Sequence, residues 1–158
     1  MYKMIFTVMG ALIGLGAFPQ PQSQDGVALR KKQFNTPEGI GIKGYDPVAY
    51  FTGSKAIKGS KDQAVVYEGI TYYFSSAANR EAFRKDPARY EPQYGGWCAY
   101  AMGSAGEKVE VDPGTFKIVD GKLNLFYNKF FNNTLKSWNK DEAHLKTNAD
   151  KNWMKFAQ

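Results

Sequence analysis

The chain has 158 residues, one cysteine, a net charge of +6 and an aromatic content of 15%. That length suits one domain with its own hydrophobic core, and a single cysteine excludes an intrachain disulfide. Lys and Arg are scattered apart from the run Arg30-Lys31-Lys32, which reads as a solvated surface with a weak attraction to an anionic membrane face, not as a nucleic-acid interface.

Residues 1–24 carry Lys3 as their only charge, then an apolar run from Met4 to Phe18, then a polar "PQPQSQ". That order is the pattern of a secretory signal peptide, and the apolar run is shorter than the roughly 20 residues of a membrane-spanning helix. Export to the periplasm or the cell exterior is expected. Residues 25–43 are polar and glycine-containing and read as a linker or N-terminal arm, so the domain is expected over 44–158, with a helical C-terminal extension.

Asp46 before Pro47 is a helix-start signal, and "VAYF" after it fits a helical turn or an extended piece. "AVVYEGITYYF" predicts two strands, 64–67 and 70–74, turning at Glu68-Gly69. Ser75 or Ser76 then caps a helix running to about Lys85, whose last turn carries Arg84 and Lys85 as the helix dipole prefers. Asp86-Pro87 restarts a short turn. Gly95-Gly96 allows a tight bend before "WCAYAM", which predicts a helical stretch ended by Gly103. The pair Asp120-Gly121 between "TFKIV" and "KLNLFYN" predicts a hairpin with a type I′ turn, with Phe116, Ile118, Leu123 and Leu125 toward the core. From about Asn128 the chain reads as helical, with Leu135 and Trp138 on one face and a capping signal at 147–150 before "KNWMKF". The predicted class is α+β, a single domain of small antiparallel hairpins packed with short helices.

Most of the chemistry in the sequence centres on Cys98. One reading is a small buried hydrophobe. Another is a functional thiol at the start of a helix, whose free N–H groups favour a thiolate. Tyr94, Trp97 and Tyr127 would line a cleft around it. Met102 stands four residues on, so a helix puts both sulfurs on one face, where two soft donors suit a copper ion as Cu(I). His144, the only histidine, lies in the polar "DEAHLK" and reads as a surface residue. No phosphate-binding loop, zinc-protease motif or carboxylate pair is evident, so catalysis is not expected.

Three stretches together resemble the YHS domain family. "YDPVAYF" (45–51) is similar to the family's opening DPVCGM. "YEGITYYFSSAANREAFRKDPARY" (67–90) is similar to its Y.G..YYFCS..C...F...P..Y pattern. "PQYGGWCAYA" (92–101) with "VDPGTFKIVDGKLNLFYN" looks like a longer, exported subgroup, in which the position of Cys98 can hold selenocysteine. The resemblance implies the fold and relates the chain to small cysteine-containing metal-binding modules. At the three cysteine positions of those relatives, however, this chain has Ala49, Ser75 and Asn79, which offer no thiolate. Three functions therefore stand open. The first is a non-enzymatic exported domain binding a soft metal ion, copper first, or a small ligand around Cys98. The second is a thiol redox protein acting through Cys98 with an external thiol. The third is a structural or partner-binding module with Cys98 in the core.

Overall fold

A computed structural model describes residues 23–156. The segment expected as a signal peptide lies almost wholly outside the described residues. Helix α1 (Gln24–Gln33) opens the described residues, capped by Ser23, whose hydroxyl accepts from the Gly26 N–H at 3.2 Å. Two short 3₁₀ turns (Pro37–Gly39, Gly41–Gly44) lead into α2 (Ala49–Thr52). Strands β1 (Ser60–Tyr67) and β2 (Ile70–Phe74) pair antiparallel, followed by α3 (Ala77–Lys85) and α4 (Pro87–Tyr90). A 3₁₀ turn (Gln93–Gly96) precedes α5 (Ala99–Ser104). Strands β3 (Asp112–Val119) and β4 (Lys122–Phe126) form the second hairpin, and β5 (Asn128–Lys129) and β6 (Asn132–Asn133) a third, minimal one. Helices α6 (Thr134–Trp138) and α7 (Glu142–Trp153) complete the described chain. The α+β class with small antiparallel hairpins is therefore observed.

Local chemistry explains most of these boundaries. Glu68 (φ 45°) and Gly69 (φ 82°) make the two-residue left-handed turn of the first hairpin, with Tyr67 opposite Ile70. Asp120 (φ 50°) and Gly121 (φ 70°) do the same for the second, pairing Phe116 with Leu125 and Ile118 with Leu123. Leu123 and Leu125 are buried, whereas Phe116 and Ile118 are half-buried at the core's edge. Ser76 caps α3, accepting from the Asn79 N–H at 3.1 Å. Ser75 does not cap; its hydroxyl is committed elsewhere.

The core has two parts. One gathers Val48, Tyr50, Ile70, Tyr72, Phe74, Phe83, Leu123 and Leu125. Phe83 is its hub, with the rings of Tyr72 and Phe74 centred 5.0 and 5.1 Å away. The other joins Tyr94, Ala99, Met102, Phe126, Trp138, Leu145 and Ala149 between α5, α6 and α7.

Three expectations need correction. Of the two readings of residues 25–43, a linker or an N-terminal arm, the docked arm fits the contacts seen. The helix α1 docks through Arg30, which bridges Glu68 at 3.1 Å and Glu91 at 2.5 Å, and Gly41, Ile42 and Gly44 are buried. Burial works against the Arg30 charge, yet the two carboxylates outweigh it and hold its pKa above the ordinary value. The ordered domain thus starts some twenty residues earlier than the sequence suggested. Second, residues 128–133 form a hairpin, because Asn128, Asn132 and Asn133 suit pairing ends and caps; helix starts only at Thr134, where the Asn133 side chain accepts from the Leu135 N–H at 3.0 Å. Third, α7 runs unbroken through 147–150, so the capping signal there is not used.

Gly121 has open space around it, so its left-handed backbone alone resists a side chain. Gly121→Val is expected to lower stability by about 1–2 kcal/mol, read by chemical denaturation. An unchanged midpoint would contradict the type I′ turn.

Candidate functional site

The two glycines before Cys98 act through the backbone. Tyr94, Gly95 and Gly96 are consecutively left-handed (φ 55°, 60° and 84°). A Cβ on Gly95 would lie 2.8 Å from the Trp153 ring and 3.0 Å from that of Phe34. The bend therefore brings the first and last helices against the turn that leads into α5.

Cys98 stands at the N-cap of α5, as the sequence predicted, but its side chain makes no capping bond. The sulfur is fully buried at 0% exposure. Its backbone is equally held: the N–H donates to the Val109 carbonyl at 2.9 Å, and Cys98 bridges Leu125 of β4. The Thr134 hydroxyl donates to the Tyr127 carbonyl at 3.0 Å, so its oxygen is left to accept. The Cys98 S–H then donates to Thr134 Oγ1 at 3.4 Å, and the Tyr127 N–H donates to the sulfur at 3.4 Å. This closed loop ties α5 to the start of α6 and satisfies a protonated thiol. Of the two readings of Cys98 the buried one is observed, and no cleft opens onto the sulfur, because β4 and the 127–134 segment close over it.

The other predicted site residues are not assembled into one cleft. Tyr94 is buried in the second core and donates its hydroxyl to Asp150 at 2.9 Å; burial and that carboxylate push its pKa well up. Met102 is fully buried in that same second core, whereas Cys98 packs in the first. Trp97 is half-buried and donates Nε1 to the Gln33 carbonyl at 2.7 Å. Tyr127 meets Cys98 through its backbone. His144 is exposed on α7, with its ring nitrogens 3.1 Å from Asp141 and from Asn148.

Ala49, Ser75 and Asn79 do converge, on a residue the sequence marked only as a cap. Asp46 is at 0% exposure. Its Oδ1 accepts from the N–H groups of Val48 (2.8 Å) and Ala49 (3.3 Å). Its Oδ2 accepts from the Ser75 N–H (2.8 Å), the Ser75 hydroxyl (2.6 Å) and Asn79 Nδ2 (2.7 Å). Five donors saturate the carboxylate, so it has no free lone pair for a cation. Among the described residues, no group of three His, Cys, Asp or Glu side chains is placed to hold a metal ion.

The concave surface lies elsewhere. A groove of about 360 Å³ is lined by Leu29, Arg30 and Gln33 of α1 with Phe34 just after it, and by Trp153 at the end of α7 with Phe156 beyond it. Phe34 and Trp153 meet edge to face at 5.8 Å. The Arg30 guanidinium stacks 4.4 Å over Phe34, and Lys108 lies 4.5 Å over Phe156. Burial, with Lys32 nearby, lowers the Lys108 pKa. Lys108 also donates to the Gln33 side chain, so Trp97 and Gln33 link this groove to the Cys98 turn. Sequence reasoning missed the groove because it set residues 25–43 aside; the signal was Arg30 and Phe34, four apart in a run that could be helical. A second concavity of about 360 Å³ includes Lys43, Lys58, Lys61 and Tyr73. Lys43 is paired there with Glu110 at 2.7 Å, and Lys58 donates to the Lys43 carbonyl.

Residues 48–94 match the family model described as YHS domain, so the likeness read from the sequence is shown over that stretch. No curated protein and no solved structure matches the chain. A YHS match suggests a metal-binding module. The matched stretch contains Ala49, Ser75 and Asn79 and ends at Tyr94, before Cys98. The residues present do not fit a soft metal ion at either place. One has no thiolate and a saturated carboxylate; the other has a sealed, hydrogen-bonded sulfur.

Asp46→Ala strips the partner from five donors and is expected to cost on the order of 3 kcal/mol or more, against about 1 kcal/mol for Ser76→Ala, both read by denaturant melts. A combined Ala49→Cys, Ser75→Cys, Asn79→Cys variant is expected to gain zinc affinity by isothermal titration; no affinity would undo the correspondence with the metal-binding relatives.

Proposed function

We propose that the chain is a non-enzymatic YHS-type binding module, acting outside the cytoplasm, in which Cys98 is a structural thiol and the aromatic groove between α1 and α7 receives a small ligand. The observation that carries this reading is the sealed sulfur of Cys98 with its closed hydrogen-bond loop. A thiolate nucleophile or copper ligand needs access to that sulfur, and a redox partner needs to touch it. The groove offers what the sulfur lacks. Its volume lies in the range of small-ligand sites, its walls are the rings of Phe34, Trp153 and Phe156, and Arg30 and Lys108 set cations beside them. That chemistry suits a flat apolar molecule carrying a negative group. Export is supported by the order of charge, apolar run and polar tail in residues 1–24.

The test uses anilinonaphthalene sulfonate, a flat anionic probe. The folded protein is expected to bind it with enhanced emission, and Leu29→Trp or Phe156→Ser to weaken binding at least about fivefold. Equal binding by these variants would remove the groove from consideration. In parallel, Cys98 is expected to resist a thiol reagent until denaturant is added; rapid labelling of the native protein would restore the thiol readings.

A further inference from the structure

The hairpin of β5 and β6 ends in a two-residue turn made of Phe130 and Phe131. Both are left-handed, at φ 50° and 63°. A type I′ turn requires that backbone and strongly prefers Asn-Gly, since a bulky side chain is disfavoured there. The rings gain nothing from the fold in return. Phe130 is 87% exposed and Phe131 111% exposed, and neither stacks on another ring among the described residues. Two large apolar side chains thus stand in an unfavourable backbone and in water at the extremity of a hairpin. Strain of this kind points to a role outside the fold.

The charge around the turn indicates what the rings meet. From Gly121 to Lys140 the chain has no Asp or Glu, but it has Lys122, Lys129, Lys136 and Lys140. Lys129 directly precedes the two rings and is exposed, and no salt bridge among the described residues engages Lys129, Lys136 or Lys140. We propose that Phe130 and Phe131 form a membrane-interface anchor, inserting both rings among the headgroups of an anionic bilayer while Lys129 and Lys136 bind lipid phosphates. Apolar side chains flanked by cations match the layering of such a surface. Two buried rings amount to roughly 300–500 Å², well short of the ~800 Å² per partner typical of a stable protein interface. A weak apolar anchor combined with basic residues is the two-signal arrangement by which proteins attach reversibly to membranes.

The experiment is co-sedimentation of the full chain with phosphatidylcholine vesicles, with and without phosphatidylglycerol. The double variant Phe130→Asn, Phe131→Gly supplies the favoured turn sequence, so it is expected to melt at or above the wild-type temperature. Its partitioning onto anionic vesicles is expected to fall at least about tenfold. Lys129→Glu is expected to cost roughly fivefold or more on anionic vesicles and little on neutral ones. Equal vesicle binding by the double variant would overturn the proposal and assign attachment to another part, such as residues 1–22. A wild-type chain that leaves anionic vesicles unbound would also overturn it and turn the rings toward a protein partner.

Discussion

The fold turns on one buried anion. Asp46 has no contact with solvent, so its charge is tolerable only if the surrounding chain supplies donors. Those donors come from the start of α2, the end of β2 and the first turn of α3. The carboxylate therefore fixes α2 relative to the junction of β2 and α3, up to 33 residues away in sequence. The ring cluster around Phe83 then packs in the space they enclose. The family pattern that the sequence resembles has cysteines at positions 49, 75 and 79, a set suited to a cation. Here the sign is inverted: an anion sits at the centre and neutral donors surround it.

Cys98 follows similar logic in the other half. Its loop with Thr134 and Tyr127 ties the start of α5 to the chain on either side of the third hairpin. A serine would be a poorer apolar neighbour for Leu125, and an alanine would leave the Tyr127 N–H without an acceptor. A lone thiol, weakly polar and able both to donate and to accept, suits a site that is apolar on one side and hydrogen-bonded on the other.

Much of the local structure was legible in the sequence. Glu68-Gly69 and Asp120-Gly121 dictate their hairpins because few residue pairs tolerate two left-handed positions, and α3 was marked at its start by Ser75 or Ser76 and at its end by Arg84-Lys85. The YHS likeness was legible from the 67–90 pattern. What was not legible depended on distant partners. Nothing local announces that Arg30 pairs with Glu91, or that Trp153 packs on Phe34, so residues 25–43 read as a linker or N-terminal arm. The Phe130-Phe131 turn was hidden because its residues contradict the turn they form. Burial of Cys98 was one of the readings the sequence offered, but the sequence alone did not choose it, since covering groups come from residues 125–134 and not from its own neighbours.

The contact between Phe34 and Trp153 has a consequence for the order of folding. The three hairpins close over loops of two residues and can form as soon as their strands are available. The helix α1 cannot follow that schedule. One face of it binds Glu68 and Glu91, which emerge midway through synthesis, but its aromatic partner lies in the last helix. Until Trp153 arrives, the ring of Phe34 lacks its edge-to-face partner on a nascent chain. The first described helix is thus among the last pieces to be seated, and a truncation near the carboxyl end would be felt at the opposite terminus.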